Sequence, residues 1–194
     1  MLEKKVTRTS GLKIDHSPTD YHNWYAIQTT TGYEKKLVST LKALLTEIQL
    51  YLPSRKVIHK LKGIQHVKEL PLFPGYIFLY KEIAKSLKAL DKAESRLIAN
   101  PVKANGKYLE ANKEEMRFLF EIAGKDGVIE LSKGMVTEGE EIQIINGPLK
   151  QLKGRILFID TRKNKAKVRI KFMNRLIDVS LGLEIISRSL PNVQ

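Results

Sequence analysis

The sequence has 194 residues, no cysteine and a formal net charge of +13. Such a length suffices for one large domain or two small ones, each with its own core, and the missing thiols exclude disulfides, thiolate zinc sites and a cysteine nucleophile. A balance this basic points to a polyanionic partner, nucleic acid before an anionic membrane surface, and no run approaches the roughly eighteen apolar residues of a membrane-crossing helix.

Residues 1–22 are polar and mixed in charge, without the apolar core of a signal peptide, so a flexible extension of a cytoplasmic, monomeric protein is expected. Trp24 to Thr29 has the β-propensity of a first strand. After the turn at Thr30-Thr31-Gly32, Leu37, Leu41, Leu44, Leu45 and Ile48 recur at helical spacing, which predicts an amphipathic helix of about four turns. Arg55–Leu61 and Ile64–Leu70 form a hairpin around Lys62-Gly63, its arms rich in Lys, Arg and His as suits a solvated tip. Pro71 and Pro74 cannot donate ladder hydrogen bonds, so the segment up to Gly75 is a rigid corner feeding the strand Tyr76–Tyr80. Ile83, Leu87 and Leu90 mark a second helix, and Arg96–Ala99 a further strand broken by Asn100-Pro101. Asn112 caps a third helix that ends at Gly124.

These elements predict a compact α+β domain over 23–124. From 125 to 137 the signal weakens, and this stretch is taken as a linker. Beyond it, over 138–190, strands are expected at Glu141–Ile145, Gly154–Asp160, Ala166–Phe172, Leu176–Val179 and Leu183–Ile186. Short strands separated by polar or Gly turns indicate a small all-β barrel.

No catalytic constellation is present: His16, His22, His59 and His66 lack carboxylate companions at metal-ligand spacing, and there is neither a phosphate-binding loop nor a nucleophile elbow. The expectation is therefore a protein without cofactor, metal or enzymatic activity. Charge is instead concentrated. Lys150, Lys153, Arg155, Arg162, Lys163, Lys165, Lys167, Arg169, Lys171 and Arg175 face a single acid, Asp160, between Gly147 and Arg175. In Lys167-Val168-Arg169-Ile170-Lys171 the bases share one face of a strand and the apolar residues the other. That is the pattern of a phosphate-contacting surface, with a merely solvated Lys-rich face as the competing reading.

Three blocks, in order, resemble the NusG transcription-elongation factors: Trp24-Tyr25-Ala26-Ile27-Gln28 with Gly32-Tyr33-Glu34, then Phe73-Pro74-Gly75-Tyr76 with Ile77-Phe78, then Asn146-Gly147-Pro148-Leu149-Lys150 with Gly154 and the Asp160 turn. The likeness covers about residues 23 to 187. It implies an N-terminal NusG domain, with a four-stranded antiparallel sheet flanked by helices, and a five-stranded SH3-like KOW barrel. It further implies that an apolar depression sits on the clamp helices of the largest catalytic RNA polymerase subunit. Tyr76 and Phe78 would lie on that surface, Phe73 and Pro74 at its edge, and Ile98 beside it. The basic barrel is similar to that of specialised paralogues, LoaP-type antiterminators first and RfaH- or UpxY-like proteins next. A nascent RNA hairpin is then the expected partner of the barrel, and upstream DNA a candidate for the Lys56–Lys68 hairpin. The alternative is an adaptor of the housekeeping type, whose barrel recruits a ribosomal protein or Rho.

Overall fold

The computed structural model describes residues 21–45, 47–81, 83–92, 99–124, 126–137 and 141–188. In chain order the elements are β1 (Trp24–Gln28), α1 (Glu34–Leu44), β2 (Leu50–Tyr51), β3 (Ser54–Leu61), β4 (Ile64–Pro71), β5 (Tyr76–Tyr80), α2 (Ile83–Lys92) and β6 (Asn100–Pro101). They continue with β7 (Lys103–Ala104), β8 (Lys107–Tyr108), α3 (Lys113–Ala123), β9 (Val128–Ile129), β10 (Ser132–Val136), β11 (Ile142–Asn146) and α4 (Pro148–Gln151). A 3-10 turn (Lys153–Arg155), β12 (Ile156–Asp160), β13 (Lys165–Phe172) and β14 (Arg175–Arg188) complete the chain. Packing divides the described residues into two units: 21–54 with Pro71–Gly127, and Arg55–Leu70 with 128–188.

The first unit is built on a four-stranded antiparallel sheet in the order β2-β5-β1-β6. Its two faces follow from strand alternation. Ile27, Leu50, Ile77 and Leu79 meet Leu37, Val38 and Leu41 of α1 and Ile83 and Leu90 of α2 in one buried cluster. Trp24, Tyr51 and Phe78 form an aromatic layer with Phe120 of α3, whose ring stacks on Tyr51 at 4.2 Å. Each fully buried large side chain contributes about 1.5–3 kcal/mol relative to exposure, so these two layers are what hold the sheet. Asn112 caps α3 by accepting from the Glu114 N–H at 2.8 Å, and Gly124 follows its last turn, as the sequence predicts.

Two expectations change here. α1 stops at Leu44, a turn early, because Leu45 is extended (φ −133°, ψ 114°); Leu44 is exposed, and Ile48 reaches the core from the connection instead. Asn100-Pro101 does not break a strand but is β6, paired with Gln28 and Ile27. The proline is tolerated because β6 is an edge, where one face of the backbone needs no donor. The expected strand residues Arg96, Leu97 and Ile98 lie outside the described residues.

In the second unit, β4-β3-β9 make a three-stranded sheet, with Lys62 (φ 50°) and Gly63 (φ 81°) forming the predicted tight turn between β3 and β4. The other sheet has five strands in the order β11-β10-β14-β13-β12 and curls into a half-barrel. Five strands were expected, but two of them differ. Leu176–Val179 and Leu183–Ile186 are parts of one strand, β14, whose first half pairs antiparallel with β13 and whose second half runs parallel to β10. The remaining strand is β10, which lies with β9 inside the stretch 125–137 that was expected to be a linker.

Candidate nucleic-acid interface

β13 alternates along its whole length. Ala166, Val168, Ile170 and Phe172 are buried, which sends Lys165, Lys167, Arg169 and Lys171 to the outer face. Register fixes what stands beside each base: Phe158 of β12 and Ser180 of β14 flank Lys167, Asp178 faces Arg169, and Leu176 faces Lys171. Four of the ten predicted cations thus form one outward row.

Asp178 organises the middle of that row. Arg169 donates from Nε to Asp178 Oδ1 at 2.7 Å and from a terminal nitrogen to Oδ2 at 3.1 Å, the fork geometry in which guanidinium and carboxylate match best. Lys167 Nζ lies 3.7 Å from the same carboxylate. The hydrogen bond from Arg169 holds the Asp178 carboxyl below the usual carboxylate range, and the same bond raises the guanidinium further above its own. Asp178 lies three residues past the window in which sequence shows a single acid, and register brings it into the basic face.

At one end of the row is the turn that joins β12 to β13. Asp160 Oδ1 accepts the Lys163 backbone N–H at 2.9 Å, and the buried Asn164, at φ 51°, accepts the Leu183 N–H on its carbonyl at 2.9 Å. Arg162 and Lys163 are therefore exposed side chains on a pinned turn. Lys150, Lys153 and Arg155 are exposed on the segment leading into β12, where the Leu149 N–H donates to the buried Ser132 hydroxyl at 2.9 Å. Gly147 is required there, since a Cβ would meet Ser132 Cα at 2.6 Å. Arg175 is exposed but pairs with Phe172, so it falls out of register with the outward row. Phe158 is a surface residue that sequence reasoning assigned to a strand without a role: it is 51% exposed, with Lys167 Nζ 5.8 Å from its ring centroid.

The residues of the predicted polymerase surface divide differently. The corner before β5 is clamped by Glu34, which is 2% exposed. Its two carboxylate oxygens accept the N–H groups of Gly75 at 2.7 Å and Gly32 at 2.8 Å, and the Thr29 N–H donates to the Gly75 carbonyl at 2.8 Å. Pro74 is exposed and Tyr76 half-buried, opposite the exposed Gln28. Phe73 is buried against Phe78 with ring centroids 6.2 Å apart. Phe78 itself has 0% exposure, contrary to its expected place on the surface, because it stands on a central strand pair opposite Ala26 and its ring is part of the aromatic layer with Tyr51. Ile98 lies outside the described residues.

The first and second blocks of the sequence, with the Glu34 clamp that joins them, fall within one comparison. A family model described as "Transcription termination factor nusG" matches residues 22–120. The chain belongs to the NusG family. The NusG protein of Borreliella burgdorferi, named a transcription termination/antitermination protein, is 25% identical over 188 residues, covering 85% of this chain and 97% of that one. The NusG of Thermus thermophilus, under the same name, is 25% identical over 172 residues, covering 81% and 94%. A solved structure described as "Domain interaction in Thermotoga maritima NusG" aligns with TM-score 0.48 at 21% identity, over 83% of this chain and 93% of that one. Among the described residues no helix is long and apolar enough to cross a membrane, and no cluster of three or more His, Asp or Glu has the geometry to hold a metal ion.

Proposed function

We propose that this NusG-family chain is a transcription elongation and antitermination factor of the specialised, LoaP-like kind. Its first unit binds RNA polymerase through the Pro74–Tyr76 corner, and its half-barrel binds nascent RNA. The observation that carries the RNA half is the outward row Lys165, Lys167, Arg169 and Lys171, backed by buried Ala166, Val168, Ile170 and Phe172. A row of cations on rigid strands meets phosphates without the entropy cost of ordering flexible arms. Family membership supports the polymerase half, since the curated relatives are named as termination and antitermination proteins. By bridging polymerase and transcript the factor holds the closed clamp and disfavours pausing. Upstream DNA is a further partner for the β3–β4 tip, where Lys60 and Lys62 stand beside the exposed Leu61 and Ile64.

The test is binding of the full chain to RNA hairpins across a salt series. The log–log slope is expected to fall by about 0.7 to 0.9 for each phosphate contacted. Lys163→Glu with Lys165→Glu should weaken binding to all hairpins and flatten the slope, with the fold intact because neither side chain is in the core. A housekeeping adaptor would give a different result: little RNA affinity at low salt, and capture of a ribosomal protein or Rho that survives the charge reversal.

A further inference from the structure

The outer face of β12–β13 contains a flat aromatic ring among cations, and nothing in the phosphate-binding reading uses it. Phe158 is 51% exposed, next to Lys167 in register, with the Lys167 ammonium 5.8 Å from the ring centroid. Lys165 and Arg169 occupy the neighbouring outward positions of β13. An exposed phenyl ring on a strand forfeits apolar burial, and a core role would have turned it inward with Ala166 and Val168. Register explains how it comes to be outside. The ladder is irregular between Ile156 and Phe158, so that Ile156 sits opposite the buried Val168 while Phe158 sits opposite the outward Lys167.

We infer that Phe158 is a stacking platform for an unpaired base of RNA, with Lys165 holding an adjacent phosphate. This deepens the RNA-binding reading and rests on it. The chemistry favours a nucleobase over an apolar protein side chain. A ring flanked by cations presents a π-face and a positive rim together, which matches a base attached to a phosphodiester; an apolar partner would have to desolvate Lys167 and Arg169 as well. Lys167 already sits near the ring, so a base on the open side completes a sandwich whose charge is pre-placed. The surface selects for unpaired bases, because a base inside a duplex keeps its faces stacked on its neighbours.

The experiment uses the full chain and two RNA probes with the same stem: a hairpin with 2-aminopurine in its loop, and a blunt duplex without unpaired bases. Phe158→Ala should weaken hairpin binding by about tenfold and abolish the change in 2-aminopurine fluorescence, while duplex binding stays as in the parent protein. Phe158→Leu keeps the apolar bulk on β12 and should lose the same increment, whereas Phe158→Tyr should retain it. If Phe158→Ala and Phe158→Leu bind the hairpin as the parent does, while Lys163→Glu with Lys165→Glu weakens both probes, the stacking role is overturned and RNA binding stands. If the parent chain binds neither probe at low salt, the RNA reading fails and stacking with it. If the Phe158 variants bind RNA normally but lose a protein captured from polymerase complexes, the ring belongs to a protein interface and the inference is wrong.

Discussion

Glu34 shows how much one side chain can arrange. A carboxylate that is nearly sealed from water and accepts two backbone N–H groups ties the end of the first turn to the corner that precedes β5. Removing it would leave the buried Gly75 donor unmet at about 1–3 kcal/mol, at the place where Pro74 and Tyr76 emerge, while the exposed Gly32 N–H would turn to water. The corner therefore has a fixed shape, which sharpens a prediction about its neighbours. Tyr76→Glu, at a half-buried position, is expected to keep the circular dichroism and melting temperature of the parent and to lose RNA polymerase in a pull-down. Phe78→Glu places a charge at a site of 0% exposure and should instead lower the melting temperature sharply or prevent folding. Retained polymerase binding by a folded Tyr76→Glu would show that the corner is not the contact. The Pro74-Gly75 turn was legible from sequence, because Pro and Gly act locally, whereas Pro71, expected in the same corner, is the last residue of β4. The role of Glu34 was not legible, since its carboxylate meets a donor 41 residues away, and the inward face of Phe78 depends on which helix covers the sheet.

Among the elements, β13 was the easiest to read and β10 the hardest, for one physical reason. Strict alternation from Lys165 to Phe172 reports a strand with one wet and one dry face. Ser132-Lys133-Gly134-Met135-Val136 shows no such alternation of apolar and polar side chains, because two of its buried positions are Ser132 and Gly134, which do not read as core residues. A Cβ on Gly134 would lie 3.2 Å from the Gln143 carbonyl, so glycine is there for close approach, a requirement that sequence displays as loop-like composition. The same limit hid Asp178, which joins the cationic row only through the β13–β14 register. Its position leads to a prediction of opposite sign to the charge reversals. Asp178→Asn removes from beside Arg169 and Lys167 a negative charge that competes with phosphate for both cations. RNA affinity should rise, and the salt dependence should steepen by about 0.7 to 0.9 for each new phosphate contact. Unchanged or weaker binding would mean that the Asp178 fork holds Arg169 in its working geometry, and Asp178→Glu would then be the informative companion.

At the scale of the whole chain, the sequence divides at a composition change near 125–137, whereas the fold makes its second unit from two separate stretches, Arg55–Leu70 and the residues from Val128 onward. A boundary drawn at 138 would remove β10, which lies between β11 and β14 in the five-stranded sheet. Its loss would strip the hydrogen-bonded neighbours from both strands, expose the buried Leu183 and Ile144, and leave two new edges open to association. A fragment of 138–194 is therefore expected to give no cooperative thermal transition and to aggregate, while 128–194, which retains β10 with all its partners, should melt cooperatively. The longer fragment should still be less stable than the same sheet in the full chain. It leaves β9 without β3, its neighbour in the three-stranded sheet, and Glu130 without Lys56, whose ammonium lies 2.6 Å from its carboxylate. That ion pair is exposed and contributes little, on the order of 1 kcal/mol or less, so the difference should come mainly from the lost strand pairing and should persist at high salt. Differential scanning calorimetry of the two fragments and the full chain, at low and high salt, decides it. A cooperative transition for 138–194 would mean that four strands suffice and that β10 is an accessory to the sheet.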